Sequence, residues 1–153
     1  MKKTSLLFAL LLSVSLAAQE KPATDKPEQE SFSKSNKITV TLTSISLEKY
    51  GPSKPGKAFK AGETVFINLE MKGLQANDNK QVISQADLSI PELNLDSKNL
   101  IDGSTDYDPI VPMYFQIPIE LVETGGTCAA KITIRDMVAK TFVEFNTTFE
   151  LSK

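Results

Sequence analysis

Histidine and tryptophan are absent from this chain, and it carries one cysteine, Cys128, and one arginine, Arg135. Without histidine there is no imidazole base, no Ser–His pair and no His-ligated zinc. A lone cysteine forms no intramolecular disulfide and no thiolate metal cluster. Every other basic residue is a lysine, so bidentate arginine clamping of phosphate is nearly unavailable. The net charge is −2, and removing Lys2 and Lys3 takes it to about −4, acidic and well mixed. Nucleic-acid binding needs a basic patch, and none is present.

What is there begins with a targeting pattern. Lys2 and Lys3 form a basic n-region, Leu6 to Leu16 an apolar h-region, and Ala17 and Ala18 a small-residue cleavage site. The apolar run is too short to span a bilayer comfortably. Residues 1–18 therefore read as a secretory signal peptide, with no cysteine at the cleavage site to carry a lipid. The expected location is a periplasm or the extracellular space, and no later apolar run predicts a membrane span. Residues 19–36 are rich in Lys, Glu, Pro, Ser and Thr, with Phe32 as the one large apolar residue. Such a stretch buries too little to offset its ordering entropy and reads as a disordered spacer. The other reading is a docking tail anchored by Phe32. Residues 37–153 are then one domain, and an exported domain without disulfides depends on burial alone, which favours a full sandwich over a loop-rich scaffold.

Within that domain the apolar residues recur with a period of two, the pattern of half-buried strands. Cys128, Ala130, Ile132 and Ile134 share one parity, and Val143, Phe145, Thr147, Phe149 and Leu151 another, across the turn Asp136 to Lys140. That is an antiparallel hairpin. Upstream, Ile38, Val40 and Leu42 alternate until the phase slips at Ser44, which predicts a β-bulge or a switch of sheet. Val65, Ile67, Leu69 and Met71 point inward in the next strand, and Val82 to Ile90 form another, closed by Pro91. Leu93, Leu95 and Leu100 mark a weaker, short segment, followed by a loop from Asp102 to Pro109. Val111 to Leu121 alternate again, but Pro112 and Pro118 remove ladder donors and predict an edge strand. About seven antiparallel strands over about 115 residues argue an all-β, Greek-key sandwich rather than a closed barrel.

Two stretches carry a family resemblance. Phe59-x-x-Gly62-Glu63-x-Val65-x-Ile67 resembles the start of an early strand in immunoglobulin-like modules of exported bacterial proteins. Gly126-x-Cys128-x-Ala130-x-Ile132-x-Ile134-x-Asp136, followed by Ala139-Lys140, resembles their final hairpin. Where that pattern has a tyrosine two residues after the glycine, this chain has Cys128. The resemblance implies a single immunoglobulin-like or fibronectin-III-like sandwich with a non-catalytic role.

The sharpest local feature is Asp102-Gly103-Ser104-Thr105-Asp106-Tyr107-Asp108. Oxygen-bearing side chains at 102, 104, 106 and 108 match the way a loop wraps calcium. Tyr107 stands where an EF-hand has glycine and Met113 where it has glutamate, so the stretch is no EF-hand. Cys128 shares the parity of Ile132 and Ile134, which makes it a small core residue rather than a nucleophile. No nucleophile–base pair can be assembled, and an enzyme is not expected.

The expected function is an exported, non-catalytic module that binds a protein or glycan partner or takes part in an envelope assembly, needing no cofactor. Its contacts would lie on the loops at one sandwich end, with Tyr50, Lys54 and Tyr107 as candidates, or along the proline-marked edge by strand addition. Two alternatives remain open: a small protease inhibitor presenting Lys54-Pro55, and a calcium-binding accessory domain using Asp102, Ser104, Asp106 and Asp108.

Overall fold

A computed structural model of the chain describes residues 31–120 and 125–153; the signal-peptide expectation and most of the spacer lie outside them. The regular structure of the described residues is strand apart from two single-turn 3-10 segments, and no helix among them is long and apolar enough to cross a membrane. Seven long strands are present, all but one following the periodic segments: β2 (Thr39–Ser46), β4 (Thr64–Lys72), β5 (Gln81–Ile90), β6 (Leu95–Asp106), β7 (Val111–Pro118), β8 (Gly126–Asp136) and β9 (Thr141–Leu151), with β6 the exception. Two dipeptides, β1 (Ser33–Lys34) and β3 (Ala58–Phe59), pair in parallel with opposite ends of β9. One sheet is therefore mixed, in the order β1-β9-β8-β5-β6 with β3 beside β9, and the other is β2-β4-β7.

The alternation explains which faces meet. Val65, Ile67, Leu69 and Met71 on β4, and Ile132, Ile134, Ala130 and Cys128 on β8, are all buried in one core shared by both sheets. Phe59 and Phe149 meet edge to face at 5.8 Å within it. The phase slip at Ser44 is a bulge: the β2–β4 register jumps between Leu42 and Ser44, and the extra Thr43 donates its hydroxyl to the Asn68 carbonyl at 2.9 Å. The hairpin of β8 and β9 pairs from Gly126–Leu151 to Asp136–Thr141. Asp136, fully buried, closes its turn: Oδ1 accepts the amides of Val138 and Ala139, both at 2.9 Å, and Oδ2 accepts that of Gln75 at 2.7 Å.

Two expectations need correction. Pairing begins at Ser33, inside the stretch expected to be a spacer, because Phe32 settles between the cations of Arg135 (6.0 Å) and Lys140 (5.5 Å) and brings the following residues onto β9. The Phe32 side chain thus packs on its own domain. The segment from Asp102 to Asp106 is the second half of a strand, β6, and not a loop. An edge strand satisfies its backbone on one side through its neighbour, so it needs few apolar side chains to persist, and the hydrophobic pattern underestimates it.

Candidate functional site

Among the described residues β6 ends one sheet and β7 ends the other, so each has a single partner there, β5 and β4 respectively. Both free edges border one solvent-open cleft of about 550 Å³. Its floor is apolar, from Ile101, Val111, Met113 and Phe115, and Ser84, Ser104 and Thr105 also line it.

The cleft follows from what β6 points inward. Ile101, Gly103 and Thr105 pair with Ala86, Ser84 and Val82, whose own side chains are buried, so this parity faces the core. Gly103 sits where a large apolar residue would close the gap between the sheets. A Cβ built on it meets nothing within 4 Å. Further back, β6 carries extra residues between Ile101 and Ser97, with Asn99 in the left-handed region at φ 50°. Asp87 holds this irregularity: Oδ1 accepts the Asn99 amide at 2.9 Å while the carboxylate takes both Arg135 nitrogens, at 2.9 and 2.5 Å. The Arg135 guanidinium keeps the Asp87 carboxyl below the usual carboxylate range, against the opposing effect of burial. Leu100 is turned out beside the cleft, 47% exposed.

The β7 wall is protected differently. Just beyond the paired residues Ile119 donates its amide to the Glu63 carbonyl at 2.9 Å, continuing the β4–β7 ladder. By alternation, Pro112, Tyr114, Gln116 and Pro118 then turn their backbone groups away from β4. Two of those four positions lack an N–H, so only Tyr114 and Gln116 offer outward donors. The prolines do lie on an edge strand, as their missing donors required.

A polar plug positions the remaining wall. Asn68 is fully buried on the outer side of β4. Its amide nitrogen donates to Ser44 Oγ (2.8 Å) and Ser46 Oγ (2.9 Å), and its oxygen accepts the Tyr50 amide at 2.9 Å. Tyr50 is held at φ 55°. Its ring meets Tyr114 edge to face at 5.7 Å, and Lys49 Nζ lies 4.5 Å from the Tyr114 ring centre. Burial pushes the Tyr50 phenol above its ordinary value, with Tyr114 adding to the effect.

The residues singled out from sequence separate into groups. Tyr50 lines the cleft while staying 48% exposed, and Tyr107, 50% exposed, lies on the connector joining the two cleft strands. Lys54 is engaged within the domain: it contacts Glu63 at 2.5 Å, covers the Phe59 ring at 4.8 Å, and its amide bonds Ile45 O at 2.9 Å. The Lys54 ammonium bonded to its carboxylate, with the Lys60 amide adding, keeps Glu63 below its usual range. Asp102, Ser104 and Asp106 share the solvent face of β6, where alternate residues are about 7 Å apart. A calcium ion needs its oxygens within about 2.6 Å of one centre, so these side chains would have to turn towards one another along the strand to share one. Asp108 instead accepts the Ile110 amide at 2.8 Å, and no group of three or more acidic or thiol side chains suited to a metal occurs among the described residues. Cys128 is buried, and burial, with Glu92 and Glu150 adding, pushes its thiol up to about 11.

Gly103 and Asn68 went unassigned in the sequence. Glycine inside an alternating segment does signal a missing side chain or a close approach, which was legible once β6 was known to be a strand. Asn68 gave no signal, because a polar residue at an outward parity is what any solvent-facing strand shows. Comparison with known proteins finds neither a family model nor a curated protein that matches this chain.

Proposed function

We propose that this chain is an exported, non-catalytic, immunoglobulin-like binding module that takes its partner in the cleft between β6 and β7. The observation that carries the reading is the clustering of exposed apolar groups around that cleft. Of the five large hydrophobic side chains exposed among the described residues, Tyr50 and Leu100 line it and Tyr107 and Ile110 sit on the connector between its two walls; Leu47 alone belongs to neither group. Exposed apolar surface gathered at a concavity marks a binding site more often than scattered residues do. The sandwich reading is supported by two sheets sharing one core and by the order in which the long strands enter them, with first, second and fifth in one and fourth, third, sixth and seventh in the other. The non-catalytic reading rests on composition, which supplies no histidine and one deeply placed thiol. Export rests on the Lys2 to Ala18 pattern.

The test uses the secreted, purified protein on peptide and glycan arrays, beside Gly103→Val. Valine suits a strand and projects into open space, so the variant folds and fills the cleft. Array ligands bound by the wild type are expected to be lost in Gly103→Val. Ligands retained by the variant, or none found for the wild type, would overturn the reading.

A further inference from the structure

Resting on that reading, we infer that the ligand is an extended, cationic polypeptide segment that adds as a new strand to the free edge of β6. The Tyr107 amide donates to the Lys80 carbonyl at 2.8 Å, which fixes the phase of the β5–β6 ladder. By alternation, Ile101, Gly103 and Thr105 bond to β5, and Asp102, Ser104 and Asp106 turn both N–H and C=O outward along the cleft. None of these three is proline, unlike half of the outward positions on β7. The edge able to accept a strand is therefore β6, and the proline-marked β7 serves as a wall.

Side-chain direction then specifies the ligand. In an added strand, one parity lies over Gly103 and faces the apolar floor made by Met113 and Phe115. The other parity lies beside Asp102 and Asp106 on the outer face. Neither carboxylate has an ion-pair partner among the described residues, and their β5 neighbours Gln85 and Gln81 are uncharged. Lysine or arginine opposite them is favourable, whereas like charges directly opposed are destabilising. The same rule disfavours a second copy of this chain. Antiparallel self-pairing centred on Ser104 sets Asp102 of each copy against Asp106 of the other. The selected segment alternates apolar and basic residues, and its main chain supplies the bonding common to strand addition.

The probe is a blocked eight-residue peptide of alternating valine and lysine, titrated by calorimetry and by amide NMR. Binding is expected, with the largest shifts at Asp102, Ser104 and Asp106. A peptide N-methylated at alternate amides, and one with glutamate replacing lysine, should each bind at least tenfold more weakly. Ser104→Pro, which removes one outward donor at a position proline tolerates on an edge, should do the same. Equal binding by the methylated peptide, by the glutamate peptide or by folded Ser104→Pro overturns the inference, as does no binding of the valine–lysine peptide. If array ligands are still lost in Gly103→Val while this peptide fails, the cleft stands as the site and strand addition does not.

Discussion

Replacing Asn68 by alanine removes three hydrogen bonds at one fully buried position: two donated to Ser44 and Ser46, and one accepted from the Tyr50 amide. Leaving a buried polar group unpaired costs about 1–3 kcal/mol, more than the net worth of the bond itself. Ser46 keeps a partner, because its hydroxyl donates to the Glu48 carbonyl at 2.6 Å. The Tyr50 amide reaches water once its loop loosens. Those two reliefs place the total near the lower end, at about 3 kcal/mol, a large share of the ~5–15 kcal/mol that holds a domain of this size. With a urea slope of about 2 kcal/mol/M, the midpoint falls by about 1.5 M at unchanged slope. The Tyr50–Tyr114 contact is released at the same time, so the near-ultraviolet tyrosine signal of a chain without tryptophan should weaken under native conditions. A loss below 1 kcal/mol, or an unaltered tyrosine signal, would refute the reasoning that this plug holds the cleft wall.

Asp136→Ala strips a buried carboxylate from three backbone amides and should cost about 3 kcal/mol, lowering Tm by roughly 12 °C in a thermal scan. Asp136→Asn, which can keep the two turn amides and loses Gln75, should recover about half of that; equal Tm values for the two variants would contradict the assigned geometry. Asp87 has its folded-state pKa lowered by Arg135, so its stabilisation is full above the unfolded value of about 3.9 and is lost as pH falls through the lower folded value. Asp87→Asn should therefore cost about 2 kcal/mol at pH 7, with the gap to wild type closing on acidification. A gap that widens towards low pH in denaturation curves would reverse the sign and dismiss the pairing.

Strands buried on one face announced themselves in the sequence because the core imposes a period of two on them. β4, β5 and the β8–β9 hairpin were legible for that reason, and the slip at Ser44 marked the Thr43 bulge. β7 was legible as an edge because proline cannot donate. β6 was not, since beyond Ile101 its inward positions are Gly103 and Thr105, and the gap they leave is the cleft itself. The site therefore lay where the periodic signal failed. Tyr50 and Tyr107 were candidates only as loop contacts, and sequence alone placed neither beside the β6 edge. Lys54 looked available because Glu63, nine residues on, comes close only through the fold.

Amide hydrogen exchange on the unliganded protein tests most directly whether two unpaired strand edges face one cleft. Asp102, Ser104 and Asp106 should exchange quickly while Ile101, Gly103 and Thr105 between them are slow, and Tyr114 and Gln116 should be fast beside slow Met113 and Phe115. Uniform protection along both strands would mean that the edges are already covered, and the binding site proposed between them would not exist.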